Sequence, residues 1–342
     1  MLKPYLLTSH FCEKSKGRRG FLNHFLAAVL GLAVTAVPGL AVADNFPNRP
    51  VRLVVGFPPG GGVDVAARLV GAELGKRLGQ PVVVDNISGA GGNIGTDRVA
   101  KAPADGYTLL FGSIALAINP SLYPKLSFDP LKDLAPVSLI STSPYVLMVN
   151  AQSPIRDLRD MVKVAQESPG KLRFASAGNG SGSHLFMELF LSTAGVRMDH
   201  VPYRGAAPAM TDVVAGHVPI VFDSIMTSLP YAESGKVRIL GVSSKARSKI
   251  SPEIPTLQEA GVPGYDATSW FGIFAPSGTP AAALKKLNQE LVATIRTPEV
   301  AEKLRKLGAE PVGSSSEELG RFYQTEVERW RKVVKSVGVE LN

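Results

Sequence analysis

A chain of 342 residues, 45% hydrophobic and 19% charged, has the size and composition of a globular protein of about two domains, which excludes disorder as its default state. Its formal net charge of +8 is dispersed rather than gathered into a stripe with aromatic residues, which gives no grounds for nucleic-acid binding. A single cysteine, Cys12, excludes a disulfide framework.

The first 43 residues read as an export signal. Lys14, Lys16, Arg18 and Arg19 precede an apolar run from Phe25 to Val37, and Ala41-Val42-Ala43 forms a small-residue cleavage site before Asp44. The run is shorter than the roughly 20 residues of a spanning helix. The paired arginines of GRRGFLN, Gly17 to Asn23, resemble a twin-arginine signal, so the twin-arginine and general secretory routes to the periplasm both stay open. Cleavage removes five basic residues (Lys3, Lys14, Lys16, Arg18, Arg19) and one acidic residue (Glu13), which lowers the net charge from +8 to +4. Cys12 leaves with them. His184, His200 and His217 remain, at spacings that match no local metal pattern. No metal and no cofactor is therefore expected.

From Asn45 onward, β-rich runs alternate with helical patterns. VRLVVGF is followed by DVAARLVGAELGKRL, PVVVDN by NIGTDRVAKA, and YTLLFGS by a proline-punctuated stretch. A second series begins near Tyr145, with YVLMVNA, LRFASAG, DHVPYRG, VPIVFDS and VRILGVSS as strands and helices over 157–166, 184–194 and 207–215. WFGIFAP restores strand character at Trp270, and helices over 281–295 and 317–337 close the chain. This grammar predicts an α/β protein of two lobes, each a mainly parallel sheet flanked by helices. Lobe 1 is assigned to 45–144 plus 269–342 and lobe 2 to 145–268, with crossing strands PYVLMVNA and SWFGIFAP between them. The segment 251–266, SPEIPTLQEAGVPGYD, reads as a surface excursion. A ligand site is expected in the cleft between the lobes.

Three glycine-bearing turns carry the candidate chemistry. In FPPGGGVD the bare backbone of Gly60, Gly61 and Gly62, beside Phe57 and Pro59, precedes a helix whose first N–H groups lack partners, so an anion is the natural guest. Val63 and Asp64 stand where a nucleotide loop needs Lys and Ser or Thr, which disfavours phosphoryl chemistry. Asp64 either touches a ligand or caps the helix. The second turn, SAGNGSGSHL, offers Asn179, Gly180, Ser181, Ser183 and His184; either serine can cap the helix or bind a carboxylate. Neither serine has the flanking glycines of a nucleophile elbow, and GAGGNIG, Gly89 to Gly95, misses the dinucleotide pattern, so no catalytic residue is assigned.

The third turn sets Tyr203, Arg204 and Gly205 at a strand end, where Arg204 offers a carboxylate fork or is merely solvated. Asp223, at the end of VPIVFDS, reads an amine or hydroxyl, or caps the next helix. Ser113 and Trp270, at strand ends, complete the candidate ligand contacts, although an aromatic such as Trp270 also suits a core.

Taken together, FPNRPVRLVVGFPPGGGVDVAARL, NISGAGGNIGTDRVAKAPADGYTLLFGS, SAGNGSGSHL, VPYRGAAPAMTDVVAGHV, FDSIMTSLPYAESGKVRILGVSS and PTLQEAGVPGYDATSWFGIFAPSGTP resemble, in register, the solute-binding proteins of tripartite tricarboxylate transporters, also called Bug receptors. The resemblance covers essentially all of the chain after the signal. It implies a two-lobed, type II-like periplasmic binding protein, a monomer that closes over a small carboxylate and delivers it to a membrane permease with a small and a large subunit. It also implies that backbone N–H groups and waters at 57–62 and 179–183 grip one ligand carboxylate. Val63 departs from the polar or small residue that relatives commonly carry there. A binding protein of an ATP-driven importer, a ligand presenter for a sensor kinase and an exported hydrolase are the competing readings.

Overall fold

The computed structural model describes residues 46–123 and 125–338, and the segment 1–43 that reads as an export signal lies outside them. The chain follows the order β1 (Val51–Val55), α1 (Gly62–Leu78), β2 (Val82–Asn86), α2 (Asn93–Ala100), β3 (Thr108–Ser113), α3 (Ala115–Leu122), β4 (Leu134–Ser143) and β5 (Tyr145–Asn150). It continues through α4 (Leu158–Glu167), β6 (Arg173–Ser176), α5 (Gly182–Ala194), β7 (Asp199–Pro202), α6 (Ala206–Val214), β8 (Ile220–Ser224), α7 (Ile225–Glu233) and β9 (Val237–Val242). It ends with β10 (Ser269–Pro276), α8 (Ala281–Arg296), α9 (Pro298–Lys306), β11 (Glu310–Pro311) and α10 (Ser316–Val337).

Two sheets organise these elements, a six-stranded one in the order β11-β4-β10-β3-β1-β2 and a five-stranded one in the order β7-β6-β8-β5-β9. The apolar run of β1 is buried on both faces because it is a central strand, parallel to β2 through Leu53↔Val84 and to β3 through Leu53↔Leu109. Each sheet is mixed rather than mainly parallel. β10 runs antiparallel to both β3 and β4, and β5 runs antiparallel to both β8 and β9. The physical cause is the crossing between sheets: a strand that returns from the other sheet enters with no covering crossover helix and so is free to run antiparallel.

The first crossing is abrupt, with Pro144 alone between β4 and β5. The return runs from Ser243 to the start of β10, and the two segments are tied together. Ser243 Oγ accepts from Tyr145 N (2.8 Å), Ser243 N donates to Tyr145 O (2.8 Å), and Ala267 N donates to Ser243 O (2.9 Å).

Three local expectations need correction. The proline-punctuated stretch after β3 holds α3 with Pro120 inside it. Pro120 lacks the N–H that would reach Leu116 O, and the Tyr323 hydroxyl of α10 donates to that carbonyl instead (3.2 Å). The long strand β4, also in that stretch, is absent from the sequence reading. The segment 251–266 is no mere surface excursion, because Leu257, Val262 and Tyr265 are buried and Tyr265 Oη donates to Phe186 O (2.9 Å). Its backbone is irregular but its apolar side chains plug the second sheet's helix layer. α10 begins with a capping box at Ser315 and Glu318 and carries Trp330 to a stacked contact with Phe186 of α5, centroids 5.5 Å apart. One apolar cluster therefore continues from the helices of one sheet to those of the other.

Candidate functional site

Where the ends of the two sheets face each other, a cavity of about 30 Å³ is lined by Phe57, Pro58, Gly61, Gly62, Val63, Ser113, Tyr145, Ala177, Ser181, Gly182, Gly205, Ala206 and Asp223. The loop and helix start at 57–63 follow β1 of the six-stranded sheet, whereas 177–182 and 205–206 follow β6 and β7 of the five-stranded sheet and Asp223 lies near the end of its β8. The volume suffices for one or two waters. The two sides stand close: a β-carbon built on Gly62 would lie 2.7 Å from Ser224 Oγ, and one on Gly205 would lie 3.1 Å from Pro58 Cγ. Larger grooves of about 590 and 620 Å³ run along α10. They are open surface where no helix N-termini converge.

The chemistry of the cavity is set by which helices carry caps. α1 and α6 begin behind Gly61 and Gly205, which have no side chain to offer, and neither helix has a side-chain cap. Gly61, Gly62 and Val63 at the start of α1 and Gly205 and Ala206 at the start of α6 line one shared space, which therefore lies at the positive ends of both helix dipoles. α5 differs, because Ser181 Oγ caps it by accepting from His184 N (3.4 Å) while donating to Gly178 O (2.6 Å). Ser183 Oγ accepts from Ala177 N (2.8 Å). Both serine hydroxyls thus hold their own turn. α7 is capped by Ser224, whose Oγ accepts from Met226 N (3.4 Å).

Asp64 is turned away from the cavity and braces the first turn. Its carboxylate accepts from Gly60 N (3.0 Å), Arg68 Nε (3.0 Å) and Asn86 Nδ2 (2.9 Å), and the same amide donates to Phe57 O (2.9 Å). Burial pushes its pKa up, but hydrogen bonds from Arg68, Gly60 and Asn86 outweigh burial and hold it below the usual range.

His184 lies beneath the second turn, outside the cavity lining. It stacks on His200 at 4.0 Å, and His200 stacks on Phe174 at 4.9 Å. His184 Nδ1 accepts from Gly180 N (3.3 Å), and His200 Nε2 lies 2.5 Å from Ser176 Oγ. Burial, with the charge of His200 second, lowers the pKa of His184 to about 3, and burial lowers that of His200 to about 4.

Asp223 and Tyr145 are the titratable side chains of the lining. Asp223 is buried at the end of β8 and accepts from Thr227 Oγ1 (3.0 Å). Burial lifts its pKa to about 6 against the hydrogen bonds from Ser224 N and Thr227. Burial, then the Asp223 charge, holds the Tyr145 phenol well above its ordinary range, so it stays a donor.

Of the residues singled out in the sequence, the cavity gathers Phe57, Gly61, Gly62, Ser113, Ser181, Gly205 and Asp223. Pro59, Gly60, Asn179 and Arg204 are exposed beside it. Tyr203 is tied to Asp212 through its hydroxyl (2.6 Å). Trp270 is a core residue whose Nε1 donates to Glu326 Oε2 (3.2 Å). Pro58 and Gly182 fall within the expected ranges 57–62 and 179–183, whereas Val63, Tyr145, Ala177 and Ala206 were not among the candidate contacts. Tyr145 had a signal, as the first residue after the single-proline crossing. GAGGNIG serves packing, since a β-carbon on Gly95 would meet Gly56 Cα at 2.9 Å.

Comparison with known proteins agrees with this architecture. The family model described as tripartite tricarboxylate transporter family receptor matches residues 66–339. Protein BugT of Bordetella pertussis is 38% identical over 321 residues, covering 92% of this chain and 98% of its own length. Among solved structures, Rpa4515 of R. palustris with adipate superposes with a TM-score of 0.84 at 39% identity, covering 86% of this chain and all of that one. MatC from Rhodopseudomonas palustris with bound malate gives 0.79 at 36% identity, covering 84% and all of the two chains. With most of its length matched and its two-sheet architecture shared, the chain belongs to the receptor family of the tripartite tricarboxylate transporters.

Proposed function

We propose that this protein is a periplasmic receptor that captures a small organic carboxylate between its two lobes, 45–144 plus 269–342 and 145–268, and delivers it to a permease with small and large membrane subunits. The observation that carries the reading is the meeting, in one cavity, of two uncapped helix N-termini, those of α1 and α6, contributed by different sheets. An anion placed there completes hydrogen bonds on both sides at once. Its binding energy therefore favours the arrangement in which the sides are together. Carboxylates bound to relatives, adipate in one and malate in another, are the guests that such a site suits. The grip rests on backbone donors, and among the described residues no serine of the lining is hydrogen-bonded to a general base, which suits a receptor that releases the acid unchanged.

The test is a thermal-shift screen of the mature protein against dicarboxylates, tricarboxylates, aromatic acids and acidic amino acids. At least one acid is expected to raise Tm, because ligand at 100 times its Kd stabilises the native state by about 2.7 kcal/mol. Small-angle scattering with that acid is expected to show a radius of gyration no larger than that of the free protein. Stabilisation by neutral sugars or cationic amino acids alone would overturn the reading.

A further inference from the structure

Asp223 is an odd residue for an anion site. The cavity presents the N-termini of α1 and α6 and the Tyr145 hydroxyl as donors or positive ends, and sets one carboxylate among them. Helix capping does not account for it, because Ser224 caps α7. Nor, among the described residues, is it paired with a cation: Arg204 is exposed, Arg68 is committed to Asp64, and no other charged side chain enters the lining from α1, α5, α6 or β3. Its contacts are with neutral donors, Thr227 Oγ1 and the Ser224 backbone. Tyr145 and Asp223 come from neighbouring antiparallel strands, in the register Tyr145↔Ser224 and Val146↔Asp223. A β-carbon on Gly182 would stand 2.9 Å from the Tyr145 hydroxyl, so the phenol tip lies against the first turn of α5.

A bound carboxylate and Asp223 would repel one another in a small space of low dielectric. An O–H or N–H on the ligand turns that repulsion into a charge-assisted hydrogen bond, the stronger kind. A site built to hydrogen-bond a ligand group rejects the analogue that lacks it far more strongly than an apolar pocket does.

We infer that Asp223, next to Tyr145, is a specificity-determining residue that selects carboxylic acids carrying a hydroxyl or amino donor over the unsubstituted acid of the same length. The inference rests on the carboxylate reading above and narrows the ligand class.

Calorimetric titration at pH 7.5 with matched sets tests it: succinate, malate and aspartate; glutarate, 2-hydroxyglutarate and glutamate; adipate and 2-aminoadipate; benzoate and 4-hydroxybenzoate. In at least one set the donor-bearing acid is expected to bind tenfold or more tightly than its unsubstituted partner. Asp223→Asn is expected to bring that ratio within about threefold while still binding the unsubstituted acid. A wild-type protein with no such preference, or a preference unchanged in Asp223→Asn, overturns the inference and leaves the carboxylate reading standing. Failure of every acid to bind the wild type overturns both. A crystal structure of the wild-type complex gives a readout that does not depend on the variant folding: the ligand donor within about 3.2 Å of an Asp223 oxygen supports the assignment, and a donor directed elsewhere defeats it.

Discussion

Gly62→Ala is expected to weaken carboxylate binding by about tenfold to a hundredfold while leaving the fold as stable as before. Gly62 opens α1, where an alanine suits the helix better than a glycine by a fraction of a kcal/mol up to about 1. Its added methyl points across the cleft, however, 2.7 Å from Ser224 Oγ and 2.9 Å from Ser224 Cβ. Ser224 cannot simply swing aside, because it is buried and its hydroxyl caps α7. Opening the lobes relieves the overlap in the free protein, whereas a closed complex has to absorb it, at the roughly 1–3 kcal/mol typical of overpacking. Gly61→Ala is the paired control. It adds the same methyl one residue earlier, 3.8 Å from Ala206 Cβ, an ordinary contact. Titration of both variants with the acid found for the wild type decides the matter. Wild-type affinity in Gly62→Ala would show that α1 and Ser224 do not come together around the ligand, and the two-sided site would be wrong.

How much of this site was legible depends on whether backbone or side chains make it. Glycine before a helix is written in the sequence, and FPPGGGVD and YRGAAP both mark turns that the structure places on the cavity. Strand and helix alternation was equally visible, because a buried central strand such as Val51–Val55 and a helix such as Ala281–Arg296 keep their apolar periods whatever they pack against. The serine–glycine turn was legible only as a choice of two roles, for a local reason. Ser181 and Ser183 are good caps and good carboxylate donors alike, and in the fold Ser181 spends its hydroxyl on Gly178 O and His184 N. The start of α6 joins that turn in the cavity lining, and nothing in YRGAAP singled out its first residue, Ala206. Arg204 and Trp270 were candidates by residue type, yet exposure of one and burial of the other follow from tertiary packing. Proline misled in the opposite direction, since Pro120 sits inside α3 only because Tyr323, some two hundred residues later, satisfies the carbonyl it leaves free.

Acidification from pH 7.0 to 4.5 is expected to cost the folded protein about 3–5 kcal/mol through His184 and His200. Both are neutral in the fold, with pKa values near 3 and 4, against about 6.5 when the chain unfolds. Between those limits the unfolded chain binds more protons than the folded one, so stability falls as pH falls, by up to about 1.36 kcal/mol per pH unit for each histidine. Glu188 offers little rescue: its oxygen lies 3.6 Å from His184 Nε2, and burial raises its own pKa. Asp223 acts in the opposite sense, because its raised pKa makes acid relieve a buried charge. The histidine contribution is therefore read as a difference, from urea unfolding of the wild type and a His184→Asn/His200→Gln variant at both pH values. Asn keeps an acceptor near the Nδ1 position that Gly180 N uses, and Gln keeps one near the Nε2 position that meets Ser176. The variant is expected to start less stable at pH 7.0 and to lose about 3–5 kcal/mol less on acidification; equal losses would mean that the stack does not govern acid stability. The same histidine bears on the ligand site: while His184 stays neutral in the fold, its Nδ1 accepts from Gly180 N and anchors the turn that carries Ser181, and only below about pH 3 does protonation remove that acceptor.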